Sequence, residues 1–145
     1  MIKIIGFQEW HISAIEKKWI YSGDPELEKH FLAASKSESC CMYTVVIENR
    51  PIAILGLTKL WSGVGEIWGI ISDNVKEKPV AFHKAVLRMI RLHAEKLNLR
   101  RLSLEVRADY PEGLRWAKSL GFEEEGYFKK YGPDGADYKI FARFF

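Results

Sequence analysis

No apolar run in the chain approaches the roughly 20 residues that a membrane-spanning helix needs. The first ten residues, MIKIIGFQEW, carry no signal-peptide core. The expectation is therefore a soluble, cytoplasmic protein. Cysteine is scarce. The two present, Cys40 and Cys41, are adjacent, and neighbours in sequence rarely bridge without strain, so both are expected as free thiols in a reducing compartment. That pair and the four scattered histidines offer no ligand set at a usual metal spacing. Internal repeats and low-complexity linkers are missing as well. Charge of one sign is not concentrated: 22 basic residues nearly offset 19 acidic ones, for a net +3. No basic stripe for nucleic acid results, although this balance suits an anionic ligand.

What is present fits one domain, residues 1–145. The chain is 48% hydrophobic, 28% charged and 13% aromatic, with five Trp, enough for a real core. IKIIGF reads as a short strand. EWHISAIEKKWI places Ile12, Ile15 and Trp19 at helical spacing. A second helix starts cleanly in SGDPELEKHFLAAS, with Asp24 as N-cap, Pro25 at the first helical position, and Leu27, Phe31 and Leu32 on the buried face.

CCMYTVVIE and PIAILGLTKLW are apolar β-prone runs joined by polar NRP, and they read as a hairpin. After the break SGVG, EIWGII is a strand with little alternation, as expected for burial on both faces. Pro79 to Leu99 forms a long helix. Its inner stripe is Phe82, Val86, Met89, Ile90, His93 and Leu97; its wet side is Lys84, Arg88, Arg91 and Glu95. RRLSLEVR alternates strictly, with Leu102, Leu104 and Val106 on one face. YPEGLRWAKSLGF is a short helix closed by Gly121, and the end of the chain is two strands around a Gly-Pro-Asp-Gly turn. The predicted order is β-α-α-β-β-β-α-β-α-β-β: an α/β fold with one mixed sheet of about seven strands and helices on both faces. The strand–helix–strand unit of residues 66–107 is a right-handed crossover, so its two strands should be parallel.

With these residues in that order, the chain resembles the GNAT (Gcn5-related) N-acetyltransferase superfamily over nearly its whole length. GLRWAKSLGFEEEGYF, residues 113–128, looks like the family's helix and following strand, with its "lGF" and Gly–aromatic signature. EIWGIISD feeding a long helix looks like the segment where the family binds the pantetheine and pyrophosphate of acetyl-CoA. Within the superfamily, EIWGIISD, AFHKAV and GLRWAKSLGF are most similar to the small GNAT-like proteins of tailed phages.

The resemblance implies acetyl-CoA as co-substrate, an amine of a small molecule or protein as acceptor, and a homodimer as an option. Metal is not required. Ile70, Ile71 and Ser72 would offer the strand edge to pantetheine. Lys76, Lys78, Val80, Ala81, Phe82 and His83 would face the pyrophosphate. Glu66 stands where many members place the carboxylate that takes a proton from the amine through water.

Three departures bear on activity. The family's Arg/Gln-x-x-Gly-x-Gly/Ala loop falls on KEKPVAFH, which has no glycine, so Lys76 and Lys78 are expected to supply charge in its place. The general-acid tyrosine, four residues before the GF glycine, is replaced by Ala117, and the asparagine at the head of that helix by Tyr110. Tyr127 and Tyr131, on the strand after LGF, are the nearest phenols to replace that acid, and Tyr127 is assigned the role, with core or surface packing as the alternative for either. Trp61 and Trp68 flank SGVGE and would shape an acceptor pocket, with ordinary packing as the alternative for both. His93, on the apolar stripe, is a core histidine. The rival to an N-acyltransferase is a GNAT-like phage protein that has lost catalysis and keeps a structural or binding role.

Overall fold

Most β-prone and amphipathic segments form the elements that their patterns predict; the first helix is shorter than expected, ending at Ala14 with Ile15 already extended. The structure, a computed structural model, describes residues 1–15 and 25–145. The helical position of Trp19, the Asp24 cap and the Leu27 side chain lie outside the described residues. The strands are β1 (Ile2–Gly6), β2 (Cys40–Ile47), β3 (Arg50–Trp61), β4 (Val64–Ile71), β5 (Arg101–Arg107), β6 (Glu123–Phe128) and β7 (Tyr138–Phe144). The helices are α1 (Trp10–Ala14), α2 (Pro25–Ser35), α3 (Pro79–Lys96) and α4 (Pro111–Ser119). All seven strands share one mixed sheet in the order β1-β2-β3-β4-β5-β7-β6, so the expected α/β class and strand number hold. A short 3₁₀ turn, Asp73–Glu77, precedes α3 and was not expected. By contacts the chain packs as two compact units, Met1–Thr58 with Trp68–Met89, and Lys59–Ile67 with Ile90–Phe145.

In the first unit, β2 and β3 form the expected antiparallel hairpin. Glu48 and Asn49 both take positive φ, 48° and 63°, between the paired residues Ile47 and Arg50. Such a two-residue turn matches the right-handed twist of the flanking strands. Ile12, Ile15, Phe31, Ile54 and Ile70 make one apolar cluster, with Phe7, Leu32, Met42 and Trp68 packed against it. Trp68 stacks flat on Phe31 of α2, centroids 4.4 Å apart, and lies across Gly56, where a Cβ would collide with the indole ring. Its Nε1 donates to Thr58 Oγ1 at 3.3 Å. Of the two readings of Trp68, packing is the one its contacts describe. Cys40 and Cys41 are half-buried free thiols, and burial pushes the Cys40 thiol up.

His11 of α1 is buried in this unit. Its Nδ1 accepts from the Gln8 backbone N–H at 3.0 Å and lies 2.7 Å from Thr44 Oγ1. A backbone N–H can only donate, so Nδ1 carries no proton, the Thr44 hydroxyl donates to it, and the ring is neutral with its proton on Nε2. Burial accordingly holds the imidazole below its ordinary range. In the unfolded chain the ring binds its proton at about pH 6.5; in the folded chain it does so only at lower pH. The unfolded state therefore binds more protons in that window, and stability should fall as pH drops below about 6.5. Denaturant melts between pH 8 and 5.5 should show that fall, and His11→Asn, whose side-chain oxygen can accept the same bonds, should flatten it. An equally steep curve in the variant would exclude His11 as the cause.

In the second unit, β4 pairs in parallel with β5 through Val64↔Arg101, Gly65↔Leu102 and Glu66↔Ser103, as the crossover predicts. Along α3, whose residues up to Met89 belong to the first unit, Phe82, Val86, Met89, Ile90 and His93 are buried while Lys84, Arg88, Arg91 and Glu95 are exposed. Leu97, expected on the inner stripe, is only partly covered and lies beyond the end of the helix. Gly121 takes φ +89° and closes α4, with its N–H on Lys118 O and the Phe122 N–H on Ala117 O at 3.2 Å. The Gly-Pro-Asp-Gly turn forms, with Gly135 N–H donating to Gly132 O at 2.8 Å, but it sits inside a longer loop, residues 129–137. Moreover, β7 does not extend the sheet past β6; it enters between β5 and β6. Among the described residues no helix is long and apolar enough to cross a membrane, and no group of three or more His, Cys, Asp or Glu could hold a metal ion.

Candidate active site

The expected cofactor residues lie at the end of β4 and the start of α3, in the first unit. Among the described residues the register of β4 with β5 ends at Glu66, although β4 continues to Ile71. Which backbone groups face that edge follows from Ser72. Its N–H donates to Ile52 O at 3.0 Å and its hydroxyl to the same oxygen at 2.8 Å, while Oγ accepts from the Asn74 N–H at 3.3 Å. Ser72 thus closes the strand on β3 and caps the 3₁₀ turn. Strand backbone groups alternate in direction, so Ile70 shares the β3 side and Gly69 and Ile71 present theirs to the opposite edge. Gly69 was not singled out from sequence. Ile70 is a core residue.

The turn into α3 is tied down by charge. Arg50 at the start of β3 donates from Nη2 to both Glu77 carboxylate oxygens, at 2.8 and 2.7 Å, and Lys76 lies 3.5 Å from Asp73. Lys78 is exposed and opens the helix, its carbonyl accepting from the Phe82 N–H at 2.9 Å. Phe82 therefore has no backbone donor to spare, and its ring is in the core. Pro79 has no N–H, so the first-turn donors are those of Val80 and Ala81. His83 is half-buried one position beyond Phe82.

The proton-handling candidates lie in the second unit. Glu66 is half-buried and directly opposite Ser103. Glu105, two residues further along β5, is on the same sheet face as Ser103 and so as Glu66. Tyr131 stands in the loop after β6 and donates its hydroxyl to Glu105 Oε2 at 3.1 Å. Tyr131 is about half exposed; its phenol is pushed up to about 12, by the covered part of the ring first and then by Glu105, with smaller effects from Glu66 and Tyr138. Tyr127 on β6 donates to Asp137 Oδ2 at 2.7 Å, and that bond raises its phenol. The charges acting on Tyr127 are Asp137 and Asp109; those acting on Tyr131 include Glu66. Tyr131, rather than Tyr127, shares the electrostatic neighbourhood of Glu66.

Arg107 anchors the loop that carries Tyr131. It bonds Asp109 through Nε and Nη2 at 3.0 and 3.1 Å, and Asp134 through Nη1. Asp137 accepts from the Lys130 N–H at 2.8 Å, and Tyr131 N–H donates to Ala136 O at 3.0 Å. The Tyr131 ring sits against Phe128 and Tyr138, with centroids 5.0 and 5.4 Å away. Ala117 is buried within α4, and Trp61 is 63% exposed at the end of β3. A signal for Glu105 was present in the sequence: the alternation that puts Leu102, Leu104 and Val106 on one face leaves Arg101, Ser103, Glu105 and Arg107 on the other.

The fold occurs in several solved N-acetyltransferases. A chimera of the Vibrio cholerae spermidine N-acetyltransferase SpeG and hSSAT superposes with a TM-score of 0.75 at 16% identity, covering 99% of this chain and 95% of that one. The ribosomal-protein-S18-alanine N-acetyltransferase of Escherichia coli gives 0.73 at 20% identity, covering 99% and 93%. A protein provisionally assigned as a phosphinothricin N-acetyltransferase gives 0.75 at 20% identity, covering 99% and 98%. No protein-family model matches the chain, and no curated protein matches it in sequence. Nearly the whole chain thus carries the GNAT N-acetyltransferase fold that its helix–strand motifs resemble.

Proposed function

We propose that residues 1–145 act as one acetyl-CoA-dependent N-acyltransferase domain, moving an acyl group to an amine of a small molecule or protein. The observation that carries this reading is the early end of the β4–β5 register at Glu66, on a strand that runs on to Ile71 and then into the start of α3. In this fold that edge is suited to pantetheine, and Gly69 and Ile71 are the residues whose backbone groups face it. Val80 and Ala81 supply the helix-start N–H groups for the pyrophosphate, with Lys76 and Lys78 adding charge in place of glycines. Glu66 takes a proton from the acceptor ammonium, directly or through water, and frees the nitrogen lone pair for attack on the thioester. The finer parts of the proposal are kinship with the small GNAT-like proteins of tailed phages, action in the cytoplasm or virion, pairing as a homodimer, and no nucleic-acid or membrane partner.

Calorimetric titration with acetyl-CoA tests the reading. A saturable heat in the micromolar range is expected. No binding at high protein concentration would sink the enzyme and leave the rival, a GNAT-like structural or binding protein. Exchanging both Lys76 and Lys78 for alanine should weaken acetyl-CoA binding about 3- to 10-fold at low salt, the size of two exposed charge contacts. The difference should shrink at high salt as screening takes over. Unchanged affinity at low salt would remove the two lysines from the site.

A further inference from the structure

We propose that Tyr131 is a positioning residue for acyl transfer, its hydroxyl holding the Glu105 carboxylate on the sheet face that carries Glu66. The inference rests on the acyl-transfer reading above. Three features support it. The Tyr131 proton is already committed, since its oxygen lies 3.1 Å from Glu105 Oε2 as donor. The register puts Glu105 two residues past Ser103, the partner of Glu66, so both carboxylates belong to one face. The loop that delivers Tyr131 is held from several sides: Arg107 grips Asp134, Asp137 receives Lys130 N–H and Tyr127 Oη, and Phe128 and Tyr138 flank the ring.

The chemistry argues against a proton donor. The titratable neighbours acting on the Tyr131 phenol are Glu105 from β5, Glu66 from β4 and Tyr138 from β7, and together with burial they push it up to about 12. An alkyl thiol ionises near 8.5, so transfer from this phenol to a departing thiolate runs strongly uphill. The reaction balances without it. The acceptor ammonium gives one proton to Glu66, and its nitrogen forms the C–N bond. The C–S bond breaks with its electron pair on sulfur, and a second proton from the same nitrogen ends on the thiol. Glu105, fixed by Tyr131, orients the amine that Glu66 deprotonates.

Tyr131→Phe, Glu105→Gln and the double variant test this, with acetyl-CoA as donor and n-butylamine as probe acceptor. Each single variant should raise the amine KM about tenfold, the worth of one charge-assisted hydrogen bond, and leave kcat within about threefold. The double variant should be no worse than Glu105→Gln alone, because the two groups act as one unit. A fall in kcat with unchanged KM, together with loss of the alkaline limb of the pH profile, would make Tyr131 the proton donor and overturn the proposal. Additive effects would also overturn it. Absorbance differences against Tyr131→Phe isolate this phenol: its ionisation should move to lower pH in Glu105→Gln than in the parent protein, because the effect of Glu105 is lost. An unchanged titration overturns the pairing. If the parent protein binds and turns over no acetyl-CoA, the acyl-transfer reading fails by itself, and the titration still decides whether Tyr131 holds Glu105.

Discussion

Exchange of Glu66 for glutamine is expected to lower acyl transfer by about 10²- to 10³-fold, the usual contribution of a positioned general base. Glutamine keeps the size of the side chain and loses the charge and the basic oxygen. Glu66 is half-buried on β4 opposite Ser103, and its pairing is through the backbone ladder. The fold should therefore tolerate the change, with a melting temperature within about 2 °C of the parent, as for most substitutions outside the core. Acetyl-CoA affinity should also persist, because the proposed donors are the backbone groups of Gly69, Ile71, Val80 and Ala81. Steady-state rates with a saturating amine give the decisive comparison. Activity within about threefold of the parent would remove Glu66 as base. Loss of acetyl-CoA binding along with the rate would move its role to cofactor binding.

Phe141→Ala should be the most damaging substitution to stability, at about 3–5 kcal/mol. Phe141 is fully buried on β7, and its cross-strand neighbours are Leu104 of β5 and Glu124 of β6. Truncation empties a ring-sized volume in the core on one face of the sheet, at the strand that lies between β5 and β6. For a chain of this length that cost corresponds to a drop of about 10 °C or more in melting temperature. Phe141→Leu, which refills much of the space, should recover over half of the loss. A measured cost below about 1.5 kcal/mol for Phe141→Ala would mean that the core collapses around the gap, and that β7 is held mainly by its backbone ladders.

Elements with one clear period were legible from sequence. Strict alternation in RRLSLEVR gave β5, the apolar stripe of Phe82, Val86, Met89 and Ile90 gave α3, and Gly121 marked the end of α4. The glycine-free segment KEKPVAFH runs from the 3₁₀ turn into the first turn of α3. Which of its residues keep a spare donor was not legible, because that depends on where each bond goes. Ser72 spends its N–H on Ile52, and Phe82 spends its own on Lys78. Both acceptors are set by folding, one of them 20 residues away.

The second cluster shows the same division. Glu66 was a candidate because it stands near the start of a recognisable strand. Tyr127 and Tyr131 looked interchangeable, since each is a phenol shortly after the same motif. Their hydrogen bonds separate them: Tyr127 goes to Asp137 within its own hairpin, and Tyr131 to Glu105, 26 residues away on another strand. Local sequence by itself determined the elements, their order, the parallel crossover and the resemblance to a known fold, because hydrophobic period, caps and turns act over a few residues. Only tertiary structure decided that β7 enters between β5 and β6, that Trp68 stacks on Phe31, and that Tyr131 meets Glu105. Those outcomes depend on strand register and on contacts between distant residues, for which no short-range period leaves a mark.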